Sequence, residues 1–279
     1  MPRDPDHRFA SDSRDSATLA ALAMDGSDDD LAREAIAILH YRGTSREFEI
    51  AREFSSDLDP ARRRLAAMIL GELGWDDRTF LEDSVDILLL LLDDSDSEVA
   101  AEAANAMGCR NHSRAIQALL RHVADSNADV RLGVVHGLSS HDDLAAIGGL
   151  IYLTVDEDRD VRDWATLGLA SLTEVDTPEL RDALLARLSE EDDEIRGEAL
   201  IGLARRKHPD TLALVRDELC RPFAGDWVVE AAELLAETSL YAPLQVLWES
   251  LSPEDKAHFE RSFAAALNAC KPRSERDEE

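Results

Sequence analysis

Lysine is almost missing from this chain. Only Lys207, Lys256 and Lys271 occur, and arginine supplies the rest of the 30 basic residues. Against these stand 59 acidic residues, giving a formal net charge of −29. A surface of that sign repels phosphate backbones and anionic headgroups. It argues against nucleic-acid and membrane partners and suits another protein with a basic surface. Cysteine is scarce as well. Cys109, Cys220 and Cys270 are widely spaced, odd in number and form no CxxC. A disulfide framework is thereby excluded, and a reducing compartment is expected. The longest aliphatic run, Ile87 to Leu92, is far shorter than the roughly 18 residues of a membrane span. Residues Met1 to Ser16 are polar and lack the apolar centre of a signal peptide. A cytoplasmic location is expected.

Catalytic signatures are absent too. There is no GxSxG elbow, no GxxxxGK[ST] and no GxGxxG loop. His136, His141, Asp142 and Asp143 offer ligand atoms close in sequence. The two histidines straddle a helix end, however, and share no rigid face on which to hold a metal. No catalytic, cofactor-binding or metal residue is assigned, and the chain is not expected to be an enzyme.

Aromatics make up 5% of the chain and long β-branched alternation is missing, which leaves a composition for helix. What is there is a repeat. Ala35, Ala66, Ala103, Val134, Ala165, Ala199 and Ala231 recur 31 to 37 residues apart. Four residues before them stand Leu31, Arg62, Val99, Val130, Val161, Ile195 and Trp227. Four residues after stand Leu39, Leu70, Met107, Leu138, Leu169, Leu203 and Leu235. Residues four apart share a helical face, and a small central residue lets neighbouring helices approach closely. Only Arg62 breaks the apolar pattern.

Each unit has room for a second helix: Arg46–Ser55, Phe80–Leu92, Ser113–Ala124, Leu144–Thr154, Pro178–Leu188, Thr211–Leu219 and Pro243–Leu251. Thr177-Pro178 and His208-Pro209 read as helix starts. The expected fold is all-α, a right-handed αα-superhelix of about seven helical hairpins with terminal capping helices. Residues 1–16 read as a polar N-terminal tail and 17–270 as one array. Ser252-Pro253 starts a closing helix through Phe259, Phe263, Ala266 and Leu267, and 271–279 form a polar tail.

The turns between units are acidic, as in Asp93-Asp-Ser-Asp-Ser-Glu98 and Asp156-Glu-Asp-Arg-Asp160. Carboxylates there cap the following helix and complement its positive end. Arg63, Arg131, Arg162 and Arg196 follow the first apolar position of four units. They read as an ion-pair ladder between repeats, with Asp129, Asp160 and Glu194 at hand. Two features stand outside the pattern and are the candidates for partner binding. Asp163 and Trp164 interrupt a repeat phrase, and Trp is favoured where interfaces concentrate their energy. Arg205 and Arg206, with Lys207, form a compact basic run at a helix end.

The phrases Asp160-Val-Arg-Asp-Trp-Ala-Thr-Leu-Gly-Leu169 and Glu194-Ile-Arg-Gly-Glu-Ala-Leu-Ile-Gly-Leu203 resemble the HEAT repeat in its compact bacterial, phycobilisome-lyase-like form. The resemblance spans about Asp28 to Leu251 and implies a helical solenoid that acts as a non-catalytic scaffold or adaptor. From Asp160 onward the order of phrases is similar to bacterial HEAT-repeat proteins encoded beside Rhs-type toxins, which implies an immunity protein as an alternative. A tetrapyrrole lyase is the enzymatic alternative, resting on the repeat alone. The iron-dependent hydroxylases built on such repeats use His-Glu pairs, and no histidine here is followed by glutamate.

Overall fold

A computed structural model describes residues 9, 12–25, 28–74, 78–222 and 225–272. The expected tails lie largely outside the described residues, as do positions 26 and 27 of the first acidic turn. Among the described residues every regular element is helical. None of these helices is long and apolar enough to cross a membrane.

The chain divides into two compact units, Met1–Gly149 and Leu150–Glu279. In the first, α1 (Ser16–Met24) precedes the hairpins α2–α3 (Asp29–Arg42, Ser45–Phe54), α4–α5 (Pro60–Glu72, Leu81–Leu91) and α6–α7 (Ser97–Arg110, Ser113–Leu119). α8 (Ala128–Leu138) follows, and α9 (Leu144–Leu153) carries the division between the units. The second contains α10–α11 (Arg159–Ser171, Pro178–Arg187), α12–α13 (Asp193–Arg205, Thr211–Glu218), α14–α15 (Trp227–Leu235, Tyr241–Ser250) and α16 (Pro253–Cys270). First helices pack on first helices: α4 on α6 and α6 on α8, then α10 on α12, α12 on α14 and α14 on α16.

The repeat spacing explains this packing. Val99, Ala103 and Met107 are fully buried, as are Val161, Ala165 and Leu169, and Ile195, Ala199 and Leu203. Each fully buried large side chain contributes about 1.5–3 kcal/mol. The small residues bring the helices close. A Cβ added at Gly133 of α8 would lie 2.4 Å from the Ala101 carbonyl oxygen of α6, and one at Gly202 of α12 would lie 2.7 Å from Ala170 Cα of α10. Arg62, the exception in the apolar series, is exposed, pairs with Asp57 at 2.9 Å and lies over the Phe54 ring.

Capping follows the sequence in most places. Thr177 accepts from Leu180 N–H and Ser252 from Asp255 N–H, each one residue before a first-turn proline. α13 differs: it starts at Thr211, and its cap residue Asp210 makes no side-chain capping bond. The expected helix Ser113–Ala124 also stops early, because its last turn tightens into a 3-10 segment at Leu120–His122. In the second unit α16 closes the apolar face of α14 and α15. Phe263, Ala266 and Cys270 are buried against it, with Trp248 and Phe263 rings 5.0 Å apart.

Candidate functional site

The turns before α4, α6, α8 and α10 are built from two capping side chains in series. Asp59, Asp96, Asn127 and Asp158 cap α4, α6, α8 and α10 through their side chains. Two residues earlier, Asp57, Asp94, Asp125 and Asp156 accept the N–H of those cap residues. Each such turn therefore uses one carboxylate to hold the cap and a second group to hold the helix.

The four ladder arginines lock these turns. Arg63, Arg131, Arg162 and Arg196 each donate through Nη1 to the carbonyl six residues earlier, Asp57, Asp125, Asp156 and Glu190, at 2.8–2.9 Å. Arg63 also forks onto Asp94 of the following turn at 2.7 and 2.9 Å, holding that carboxyl below its ordinary range. Arg162 reaches Glu190 at 3.8 Å, and Arg196 reaches Glu218 at 3.4 Å. Two of the acids named in the sequence reading take another role. Asp160 and Glu194 pair with Arg159.

A second arginine set, which the sequence reading missed, works at the other end of the first helices. Arg42, Arg110 and Arg206 stand seven residues after the small repeat position. Arg110 is buried and donates to the Leu70 and Leu73 carbonyls at the end of α4. Burial, and then Arg78, pushes its guanidinium down to about 10. Arg206 donates to the Leu169 and Ala170 carbonyls in the last turn of α10 and to those of Thr173 and Val175 after it, at 2.8–3.2 Å. Arg42 donates to the Asp12 carbonyl at 2.9 Å. Arg110 and Arg206 thus supply donors to carbonyls that a helix end leaves unpaired.

This placement corrects the reading of Arg206 as a partner contact. Its side chain is only 6% exposed and its donors are occupied by backbone. Arg205 is different: it is 43% exposed and meets Glu230 at 3.1 Å. Trp164 is likewise 43% exposed. Asp163 lies beside it and meets Arg159 at 3.3 Å, yet burial still raises its carboxyl above the ordinary range.

Asp163, Glu198 and Glu230 come from the three first helices α10, α12 and α14. Glu198 stands between the other two electrostatically. Burial first, then Glu230 and Asp163, pushes its carboxyl up to about 7, against an opposing pull from Arg205. Its Oε2 is buried without a hydrogen-bond partner. An unpaired buried carboxylate oxygen is costly, and a cation brought from outside would relieve it.

Other chemistry finds less support in the geometry. Among the described residues no group of three or more His, Cys, Asp or Glu side chains is placed to hold a metal. Cys109 is exposed as a residue, yet desolvation and then the Glu72 and Glu102 carboxylates raise its thiol to about 11. It is therefore a poor nucleophile near neutral pH.

The family model for HEAT repeats matches residues 85–170 and 149–237. Protein YibA of Escherichia coli K12 is 31% identical over 85 residues, which is 30% of this chain and 30% of that protein. The aligned stretch thus spans under a third of the curated relative. The X-ray structure of the Escherichia coli YibA protein is similar over 92% of this chain and 93% of that one, with a TM-score of 0.71 and 25% identity. A structure of Kap95p with RanGDP is similar over 96% of this chain and 41% of that one, with a TM-score of 0.60 and 18% identity. That second likeness is one of fold.

Proposed function

The chain belongs to the HEAT-repeat family, and from that premise we propose that it is a non-catalytic scaffold that binds another protein through basic side chains. The observation that carries this reading is Glu198. Its half-buried carboxyl is flanked by two further carboxylates and has an oxygen without a partner. An arginine or lysine from a partner supplies the missing donor. Trp164, exposed on the same helix as Asp163, is a further apolar contact for that partner. Arg205 then exchanges Glu230 for the partner or stays as a rim contact. The ladder arginines keep the helices that carry these groups in register.

A toxin domain with a basic, nucleic-acid-binding face is one partner of this chemistry, and the acidity of the chain favours that immunity reading over an acidic partner. A toxin gene next door, and rescue of toxin-expressing cells by co-expression, separate immunity from a general adaptor role.

Affinity capture from the native host, followed by mass spectrometry, tests the proposal. The wild-type chain is expected to retain a basic protein that Trp164→Ala and Glu198→Gln release, while both variants melt as folded proteins. Equal capture by all three chains sinks the assignment of this face. Capture of no protein, with measurable turnover of a small molecule, sinks the scaffold role.

A further inference from the structure

The position seven residues after the small repeat residue holds a buried arginine in α6 and just after α12. After α8 the same position is His141. The ring is buried, with 8% of the residue exposed, and its Nε2 has no hydrogen-bond partner. Arginine at this place is permanently charged and donates to carbonyls at the end of the preceding first helix. Neutral imidazole cannot do both jobs: one ring nitrogen donates and the other only accepts. The end of α8 nevertheless packs closely on the end of α6, since a Cβ at Gly108 would lie 2.7 Å from the His136 carbonyl oxygen.

We propose that His141 is an acid-sensitive device: proton uptake by its buried ring loosens the end of α8 within the first unit. A proton on Nε2 turns a buried acceptor without a partner into a buried cation without a partner, which is the costlier state. The charged groups that bear on the ring are Asp143 in the following turn and His112 at the cap of α7. Asp143 favours the charged ring, and His112 opposes it. His112 is itself held by Glu82, 3.1 Å from its Nε2. Burial is the largest influence and leaves His141 below the ordinary histidine value. His136, about a turn earlier on α8, is lowered by burial in the same direction.

The sign is fixed by linkage. A histidine that titrates lower in the folded chain than in the unfolded chain stabilises the fold above about pH 6.5, and that stability is lost as pH falls through the folded value. The unfolded state takes up the proton first, so opening is favoured in mild acid. The population of the open state grows by at most about tenfold per pH unit for one such group.

The experiment uses the full chain. Proton NMR follows the His141 ring from pH 8 to 5, and hydrogen exchange gives protection factors for residues 128–141 over the same range. Expected are a His141 titration below the ordinary value and protection that falls toward tenfold per pH unit below about 6.5. His141→Gln, which stays neutral, and His141→Arg, which restores the residue of the sister repeats, are expected to remove most of that fall. His136→Gln leaves the part due to His141 in place. A His141 ring that titrates at or above the ordinary value overturns the proposal. So does an unchanged fall in protection in His141→Gln.

Discussion

Glu102 in the first unit and Glu198 in the second stand at the same place in the repeat, one residue before the small Ala103 and Ala199. Burial raises both carboxyls. They differ in their neighbours. Arg64 meets Glu102 at 3.7 Å and pulls it back, with help from Asn105. Glu198 has carboxylates from α10 and α14 around it and rises to about 7. The backbone position thus sets the desolvation, and the sign of the flanking side chains sets the outcome. Glu102 has a cation of its own unit against it at 3.7 Å, whereas at Glu198 the carboxylates outweigh the pull of Arg205.

The largest test of how far the two units correspond is at their buried arginines. Arg110→Ala and Arg206→Ala strip donors from carbonyls at the ends of α4 and α10, and each is expected to lower stability by roughly 3 kcal/mol. Urea unfolding of both variants reads the loss, and a large loss in only one would end the equivalence. Overpacking comes next. Gly133→Ala and Gly202→Ala force apart helices that meet at backbone contact, costing about 1–3 kcal/mol each in the same assay.

The carboxyls themselves sharpen the contrast. Glu198→Gln is expected to stabilise the chain by about 1 kcal/mol at pH 8, a gain discounted for solvent screening, and by nothing at pH 4. The sign follows from a folded value raised above the ordinary one: the penalty is absent when the group is protonated in both states and grows as pH rises past it. Glu102→Gln is expected to gain less, since it also discards the contact with Arg64. Thermal melts across pH compare the two. The smallest effect is expected from Arg64→Ala, which moves Glu102 upward toward the behaviour of Glu198. Carbon NMR of the side-chain carboxyl reads that shift, and an unmoved Glu102 would show that Arg64 is too exposed to matter.

Much of this architecture was legible in residue spacing. Val161, Ala165 and Leu169 are buried because a four-residue interval places them on one face, and the same interval located six sister helices. Caps such as Thr177 and Ser252 were legible because their chemistry is local. Arg206 was misread for the converse reason. Grouped with Arg205 and Lys207, it resembled a patch, but neighbouring residues on a helix point about 100° apart and need not share a surface. Its offset from Ala199, the same as that of Arg110 from Ala103, was the signal available. The state of Glu198 depends on residues 35 positions before it and 32 after it, and no local pattern announces it.

Asn127 occupies the cap position that aspartate fills before α6, α10 and α12, and it accepts the same pair of N–H groups, from Asp129 and Val130 at 2.7 and 3.4 Å. The cap therefore works through an oxygen lone pair and does not require a formal charge. An amide at Asp96 and Asp158 would keep the capping hydrogen bonds while raising the isoelectric point of the chain. Folding and overall electrostatic character are in this sense separable properties of the molecule. A family of equally folded chains of graded charge would show how strongly the far field alone draws a partner in.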